Sequence, residues 1–479
     1  MKKILFLSPL GGSENGADIA MNHQMTYLSR LGYDIHLITA VVNTVEFDVF
    51  LRQNDIKHHL LDYTWWYDSN LKNDGDAVRN TKAITSIVSI LTKEKIDTAI
   101  TNTANIPQLA IAAALCNVPH LWLVHEFPEG EFAYTQEKYD FIGSFSNEIL
   151  AASDVLAENI TKLSSKTPIS YFNPFTDVST VTIGENNSPT RLVSVNTVNG
   201  ERKNTQELIE IYGRLQKQFP KLELVVTGAI VNEEYYEKLK EYISNHHIQN
   251  VTFLNDYESN WRNVNTMDIF VNTSAMETFG LTMIECLKLG IVTVVANNYA
   301  TESMEKLGYL SDDDIYELGN IEEAVAKISA KLNDFAKAKQ WALTLQKKVL
   351  SEQSIEKITK NLLSAIEKYD SNPRRELRYF RQQAIATSNE LDVRMQLIES
   401  NRFTLEERLA IINEQSGVLE ERLALIEGKD KLLEERLTLI VEKDNLLTER
   451  LAMIEAQQEK LTKIERNKWY KIGRKLGIL

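Results

Sequence analysis

Cysteine is scarce in this chain, which limits the metal chemistry that it could support. Only two of the 479 residues are cysteines, Cys116 and Cys286, and each lies inside an apolar stretch. Neither has a second ligand at the spacing that protein metal sites use. Both are therefore expected in hydrophobic cores, and a cysteine-based metal site is excluded.

Long apolar runs are also missing. No stretch approaches the roughly 20 apolar residues that a membrane-spanning helix requires. The N-terminal run in MKKILFLSPLGG is only about six residues long, shorter than the apolar part of a signal peptide, and it ends in glycines. This run predicts a first buried β-strand, and the expected compartment is the cytoplasm.

Positive charge is in deficit. The chain has 53 Lys and Arg against 67 Asp and Glu, which gives a formal net charge of −14. Because nucleic acid is itself a polyanion, this balance argues against a general nucleic-acid-binding protein. It still allows a local cationic pocket that binds a small anion.

What the sequence does contain is an alternation of apolar strands and helices. The first predicted strands are ILFLSP, DIHLITA, TAIT and LWLVHE, with helices that begin near Ala17, span about Thr81–Glu94 and span Pro107–Leu115. The pattern restarts beyond residue 172 with RLVSVNT, LELVVTG, VTFLN, DIFVNTS and VTVVAN, and with helices over Gln206–Gln218, Glu233–Asn245 and Thr282–Leu289. Apolar strands separated by helices indicate parallel sheets covered on both faces.

This alternation predicts an α/β protein with two Rossmann-like domains facing across a cleft. With 43% hydrophobic residues the chain is long enough for two or three folded units. We place the domains at residues 1–172 and 173–370, the second ending in a closing helix near Ser354–Lys368. Open α/β sheets bind ligands at the carboxyl ends of their strands, so the cleft is the expected binding site.

The last hundred residues predict a coiled coil. After a linker over residues 371–390, a 14-residue pattern repeats from Leu391 through residue 465. Fourteen residues are two heptads. Position d carries Leu405, Ile412, Leu419, Ile426, Leu433 and Ile440, and position a carries Leu409, Leu423, Leu437 and Leu451 in alternation with Ser416, Asp430 and Asp444. A further apolar row beside d widens the stripe, which suits a trimer, a tetramer or a bundle with another protein better than a minimal dimer.

Charge along this segment favours parallel self-association over residues 391–461. In a parallel arrangement a g residue faces the e residue five positions on, which pairs Arg422 with Glu427, Lys429 with Glu434 and Arg450 with Glu455.

The tail over residues 466–479 differs from the coiled coil in being basic and aromatic. It is expected to bind either an anionic membrane surface or a protein, which includes the end of the coiled coil itself.

One segment concentrates residues that could bind a phosphorylated sugar. In DIFVNTSAMETFGLTMIECLKLG, a strand is followed by a glycine turn and a helix, with Glu277 and Glu285 on either side of the turn. The backbone N–H groups of Phe279, Gly280, Leu281 and Thr282 are predicted at the helix N-terminus, where they could bind phosphate oxygens. Glu277 could accept hydrogen bonds from sugar hydroxyls, and Glu285 suits the paired hydroxyls of a ribose.

This segment resembles the signature of family 4 retaining glycosyltransferases, in which two glutamates are separated by seven residues. The resemblance extends in order through about residues 1–368 and implies the two-domain GT-B fold. It implies that Glu277 contacts the donor sugar, that Glu285 contacts the nucleotide ribose, and that the residues from Phe279 to Thr282 bind the diphosphate.

Three other segments resemble motifs of the same family. In VNGERKNTQEL, Lys203 stands where the family has a diphosphate-binding lysine, and Arg202 is a second candidate for the donor. Many members have an arginine five residues before that lysine, but this chain has Val198 there. In LWLVHEFPEG, His125 is predicted to face the cleft with Glu126 beside it, and in SPLGGSENG, Gly11 and Gly12 are predicted to contact the donor.

The resemblance implies a transferase that uses a nucleotide-diphosphate sugar and needs neither a cofactor nor a metal. Its catalytic residues would be His125, Glu277 and Lys203. The acidic run Asp312–Asp314 is expected to be solvated loop charge and not a metal site. The acceptor would be a glycan or lipid-linked glycan, as in bacterial surface polysaccharide synthesis, at the inner face of the membrane if the tail binds lipid.

Two other interpretations remain open. The first is a degenerate glycosyltransferase fold that serves as a scaffold or co-polymerase subunit and assembles through its coiled coil. The second is a sugar-nucleotide epimerase or a phosphorylase, which share the architecture. Donor hydrolysis by the purified protein separates these alternatives.

Overall fold

The computed structural model describes residues 2–8, 10–12, 15–41, 44–65, 74–126, 136–163, 167–185, 191–255, 260–369 and 375–477. It forms two compact units, Met1–Leu391 and Asp392–Leu479.

Within the described chain, the first sheet has seven parallel strands in the order β3-β2-β1-β4-β5-β6-β7. Their bounds are β1 Lys3–Ser8, β2 Asp34–Thr39, β3 Lys57–Leu60, β4 Thr98–Thr101, β5 His120–Val124, β6 Glu148–Ala151 and β7 Ile169–Tyr171. Its helices are α1 Gly16–Arg30, α2 Val45–Gln53, α3 Asp74–Lys93, α4 Gln108–Cys116, α5 Gln136–Phe145 and α6 Asp154–Leu163. The central strand β1 is buried from Ile4 to Ser8 because helices cover both faces of the sheet.

The second sheet, counted over the residues that the structure describes, has six parallel strands in the order β10-β9-β8-β11-β12-β13. Their bounds are β8 Arg191–Val195, β9 Glu223–Thr227, β10 Val251–Leu254, β11 Ile269–Asn272, β12 Val292–Ala296 and β13 Ile315–Tyr316. Its helices are α7 Thr205–Gln218, α8 Glu233–Asn245, α9 Leu281–Lys288, α10 Tyr299–Lys306, α11 Ile321–Asn333 and α12 Phe335–Glu352. The predicted pair of Rossmann-like domains is therefore confirmed.

The closing segment consists of two short helices, α13 Ile355–Ile358 and α14 Lys360–Lys368, and α14 lies against the first sheet's domain. Lys368 forms an ion pair of 2.9 Å with Glu148 at the start of β6, and Lys2 donates to the carbonyl of Ile366. Another contact between the domains joins Lys306 of α10 to Glu158 of α6 at 3.1 Å. These contacts hold the two sheets' domains together.

The expectation for the two cysteines is met, and the expectation for the acidic run Asp312–Asp314 is met in part. Cys116 and Cys286 are buried free thiols, as expected of core residues. Asp312 and Asp313 are exposed, as expected, whereas Asp314 is buried, because Lys331 at 2.7 Å, Ser311 and the indole of Trp341 all bind its carboxylate. Asp314 thus joins α11 to α12.

The second unit contains most of a 92-residue helix, α15 Arg375–Arg466, and a short helix, α16 Lys468–Lys475. The predicted coiled-coil segment is helical throughout, and its apolar side chains from Val393 onward are exposed. Of the helices that the structure describes, none has both the length and the hydropathy to cross a bilayer.

Candidate active site

The loop after β11 is shaped by a glycine and by contacts with two neighbouring elements. Gly280 has a φ of +72°, in the left-handed region, and immediately precedes α9. A Cβ atom there would lie 2.1 Å from the end of the Met283 side chain, so glycine is the residue that fits this turn. The carbonyl of Glu277 accepts a 3.0 Å hydrogen bond from the N–H of Ala300, which fastens the loop to the start of α10.

The first pair of predicted residues that the structure brings together is Lys203 and Glu277. Their side chains form an ion pair, and each side chain is only 13% exposed. Two hydrogen bonds to backbone carbonyls join the same two loops: the N–H of Ala275 donates to Arg202 at 3.0 Å, and the hydroxyl of Thr273 donates to Asn204 at 2.9 Å. The ammonium of Lys203 is therefore held next to the glycine turn that opens α9.

His125 joins this group from the other domain. The hydroxyl of Thr278, next to Glu277, donates a 2.7 Å hydrogen bond to the carbonyl of His125 at the end of β5. The ring Nε2 of His125 lies 2.9 Å from Oδ1 of Asn102. Because the amide nitrogen of Asn102 donates to the carbonyl of Ala17, its oxygen faces the imidazole and Nε2 carries the proton.

This arrangement leaves Nδ1 of His125 as a hydrogen-bond acceptor. Burial lowers the pKa of His125 to about 3, so the imidazole is neutral in the physiological range. A neutral imidazole of this kind is better suited to accept a hydrogen bond from a hydroxyl group than to remove a proton from it.

Glu126 has a different position from that of its neighbour. Its carboxylate accepts hydrogen bonds from the hydroxyl of Thr103, from the N–H of Ala104 at 3.1 Å and from the N–H of His125 at 3.0 Å, among others. Burial raises the pKa of Glu126 to about 7, although these donors oppose the shift. The residue fastens the loop that follows β4 to the end of β5.

Glu285 lies in the second turn of α9 and already has two partners. The hydroxyl of Thr176 donates to one carboxylate oxygen at 2.5 Å, and the indole N–H of Trp261 donates to the other at 2.7 Å. Burial raises the pKa of Glu285. One turn further on, Lys288 donates to the carbonyl of Thr176 at 2.6 Å, and burial lowers the pKa of Lys288 to about 8. The segment between the two sheets thus orients the Glu285 carboxylate.

The start of α9 meets the start of α1 across the cleft. A Cβ atom placed on Gly16 would lie 3.0 Å from a methyl group of Leu281. The Phe279 side chain is buried in the core, and its backbone N–H and those of Gly280, Leu281 and Thr282 are the groups that can bind an anion. Burial of the Phe279 side chain also fixes the position of this turn.

The glycine loop after β1 has a structural explanation of its own. A Cβ atom on Gly11 would lie 2.2 Å from the carbonyl oxygen of Val41, so the close approach of the loop after β2 requires glycine there. The carbonyl of Gly12 accepts a 3.0 Å hydrogen bond from Asn22. Contact of Gly11 and Gly12 with the donor stays a prediction.

The two other positions in the basic loop differ from Lys203. The side chain of Arg202 is exposed, whereas the neighbouring Lys203 forms the ion pair with Glu277. Val198, where many family members have arginine, is 1% exposed and its N–H donates to the carbonyl of Ala229. An apolar core residue therefore fills that place, and Lys203 is the basic side chain that contacts Glu277.

No group of three or more His, Cys, Asp or Glu side chains that could hold a metal ion occurs in the described part of the chain.

Comparisons with known proteins agree with this architecture. Residues 180–347 match the family model of glycosyl transferases group 1. No curated protein matches the chain at the sequence level. Anabaena HepE in complex with UDP and glucose has a similar structure, with 15% identity, a TM-score of 0.60, and coverage of 77% of this chain and 100% of that one. The chain has the GT-B glycosyltransferase fold.

Two further GT-B structures are similar at the same level. A glycosyltransferase from Rickettsia africae has 17% identity and a TM-score of 0.60, and the match covers 77% of this chain and 98% of that one. The apo form of the lipopolysaccharide outer core galactosyltransferase WaaB has 15% identity and a TM-score of 0.58, and the match covers 76% of this chain and 99% of that one.

Sequence reasoning missed three residues of this GT-B cleft. Thr176 and Trp261 bind the Glu285 carboxylate, and Asn102 orients the His125 ring. A lone threonine, tryptophan or asparagine outside a motif carries no signal in a single sequence. Asn102 alone had a clue, because it directly follows the strand TAIT, whose carboxyl end was expected at the cleft.

Proposed function

We propose that this protein is a retaining glycosyltransferase that moves a sugar from a nucleotide-diphosphate sugar to a glycan or lipid-linked glycan, as in bacterial surface polysaccharide synthesis. The main support for the proposal is found just before α9. There Lys203 pairs with Glu277, and the hydroxyl of the next residue, Thr278, donates to the carbonyl of His125 from the other domain. The group 1 match over residues 180–347 and the likeness to a protein crystallised with UDP and glucose support a nucleotide-sugar donor.

In this proposal the diphosphate lies at the start of α9. The N–H groups of the residues from Phe279 to Thr282 and the positive end of the helix dipole face the phosphate oxygens. As the bond between the anomeric carbon and the phosphate oxygen breaks, negative charge grows on the leaving nucleoside diphosphate. The ammonium of Lys203 has three protons, so it donates to phosphate oxygen while retaining its contact with Glu277.

The remaining residues position the sugar and the nucleoside. Glu277 accepts hydrogen bonds from donor sugar hydroxyls, and Nδ1 of His125 accepts one from another hydroxyl. Since the pKa of His125 is near 3, its role is orientation of the donor and not proton abstraction. Glu285, held by Thr176 and Trp261, accepts hydrogen bonds from the ribose hydroxyls.

The proposed transfer needs no metal, because the helix N-terminus and Lys203 provide the stabilisation that a divalent cation provides in other transferases. We expect purified protein to release nucleoside diphosphate from one member of a nucleotide-sugar panel, beginning with uridine diphosphate sugars, in excess EDTA. The same rate should be measured after adding magnesium or manganese. Activity that is lost in EDTA and restored by either ion would contradict metal independence.

The scaffold alternative is supported by the buried Val198 in place of an arginine and by the long exposed helix. A scaffold would release no nucleoside diphosphate from any donor in the panel. An epimerase would change the sugar without releasing nucleotide, and a phosphorylase would require inorganic phosphate as the acceptor.

The geometry of α16 supports a location at an anionic membrane surface. Trp469, Ile472 and Leu476 follow one another at helical spacing along one side and are 79%, 46% and 65% exposed. Of the basic residues, Lys471 and Arg474 lie on the opposite side, and Lys468 and Lys475 lie at the border between the two sides. Such a helix lies in the headgroup region, with its apolar side inserted and its cations near lipid phosphates.

Sedimentation with vesicles tests this location. The full chain should bind vesicles that contain phosphatidylglycerol, bind less at high salt, and bind little to neutral vesicles, because each basic residue contributes about 1 kcal/mol at an anionic surface. Deletion of residues 466–479 should abolish binding. Equal binding by the deletion variant would remove the tail from the account and leave the transferase proposal intact.

A further inference from the structure

The helix α15 presents an apolar stripe that its own chain leaves exposed. Leu405, Leu419, Leu433 and Leu447 at the d positions are 64%, 64%, 57% and 59% exposed. The stripe continues along one regular helix with its 14-residue repeat intact. Leucine at this spacing is typical of a helix packed against other helices.

The charged rows beside this stripe have uniform signs. Over residues 391–461 the g positions contain no acidic residue, and the e positions contain no basic residue. The g row carries Arg394, Arg408, Arg422, Lys429, Arg436, Lys443 and Arg450, and the e row carries Asp392, Glu399, Glu406, Glu420, Glu427, Glu434 and Glu455. Each helix therefore has both halves of a complementary pair.

This distribution distinguishes parallel from antiparallel pairing. In a parallel assembly, g of one helix faces e of the next, so opposite charges meet. In an antiparallel assembly, g faces g and e faces e, so like charges meet along the whole length. A chain whose own rows are complementary only in the parallel arrangement is its own best partner.

Polar residues at position a also specify how the helices align along their length. Ser416, Asp430 and Asp444 recur every 14 residues, and leucine occupies the a positions between them. A shift of one heptad would place leucine against aspartate in most of these layers, whereas the unshifted alignment places each residue next to its own copy. Buried polar layers of this kind fix the register of coiled coils.

We propose that residues 391–461 join copies of this chain into a parallel, in-register coiled coil. The partner is a second copy of the same helix, and the assembly places several copies of the globular unit on one bundle. This proposal is independent of the proposed transferase activity, since it rests on the helix alone.

Disulfide capture in the full chain tests orientation and register. Ser416→Cys at an a position should form a disulfide with its own copy under mild oxidation, because equivalent a residues are adjacent in a parallel in-register coiled coil. Glu421→Cys, at an f position on the outer face, is the matched control and should remain monomeric on a denaturing gel. The native Cys116 and Cys286 are buried and give little background. Equal cross-linking of the two variants, or none in Ser416→Cys, would overturn the proposal.

Charge reversal tests the identity of the partner by sedimentation velocity. The full chain should be oligomeric at micromolar concentration, and changing Glu427, Glu434 and Glu455 to Lys should weaken self-association by roughly tenfold or more, because like charges then face each other. Changing Arg422, Lys429 and Arg450 to Glu in that same variant should restore assembly. A monomeric wild type, or a sixfold variant that stays as weak as the threefold one, would show that another protein covers the stripe.

Discussion

Replacing Glu277 or Glu285 by alanine is expected to reduce transfer by roughly 10- to 100-fold or more, with little change in the fold. Loss of a hydrogen bond to a charged group costs on the order of 1–3 kcal/mol, which converts to this range of rate. Glu277 is paired with Lys203 at the cleft, and Glu285 is oriented by Thr176 and Trp261, so neither carboxylate forms part of the hydrophobic core.

The two variants should differ in which kinetic constant changes. Since Glu277 is proposed to contact the sugar near the breaking bond, Glu277→Ala should lower mainly kcat. Since Glu285 is proposed to contact the ribose, Glu285→Ala should mainly raise KM for the donor. Glu241→Ala, on the exposed surface of α8, is the control and should leave both constants unchanged. Wild-type turnover in both active-site variants would refute the donor-site assignment.

Lys203→Ala is expected to lower kcat by a similar factor of roughly 10 to 100, because it removes the cation that is proposed to face the leaving diphosphate. The loss also leaves the Glu277 carboxylate without its partner beside a bound polyanion. For this reason the effects of Lys203→Ala and Glu277→Ala should not be additive: the double variant should lose less activity than the product of the two single losses.

A double-mutant cycle measures this coupling. kcat/KM is determined for the wild type, both single variants and the double variant, with Lys217→Ala on the exposed face of α7 as the charge-matched control. Multiplicative losses would mean that the ion pair has no part in transfer, even if each residue matters separately.

The sequence predicted the central strands well because burial on both faces of a parallel sheet leaves a plain apolar run. It missed β3, β6, β7 and β13. KHHL is polar and partly exposed at the sheet edge, β7 and β13 are only three and two residues long, and β6 has only three apolar residues after Glu148. A polar or very short strand is defined by its neighbours in the sheet, and its own residues carry little signal.

The sequence named candidate site residues but not the contacts between them. Lys203 and Glu277 are 74 residues apart, and Thr176 and Glu285 are 109 apart, so their pairing depends on how the loops and the two domains meet. The glycine at position 11 was assigned to the donor from its place in a loop, whereas the structure adds a packing reason in the carbonyl of Val41. Asp314 was expected in solvent because charge runs usually are, and the lysine that buries it lies 17 residues further along the chain.

The proposed function requires that this chain transfer a sugar from a nucleotide-diphosphate donor with retention of configuration. The most direct test is an NMR time course with the donor that the panel identifies, in which the configuration at the anomeric carbon of the first-formed product is read from its proton coupling. If transfer retains the configuration, an α-linked donor yields an α-linked product together with nucleoside diphosphate. A β-linked product, or no product and no nucleoside diphosphate from any donor, would contradict it.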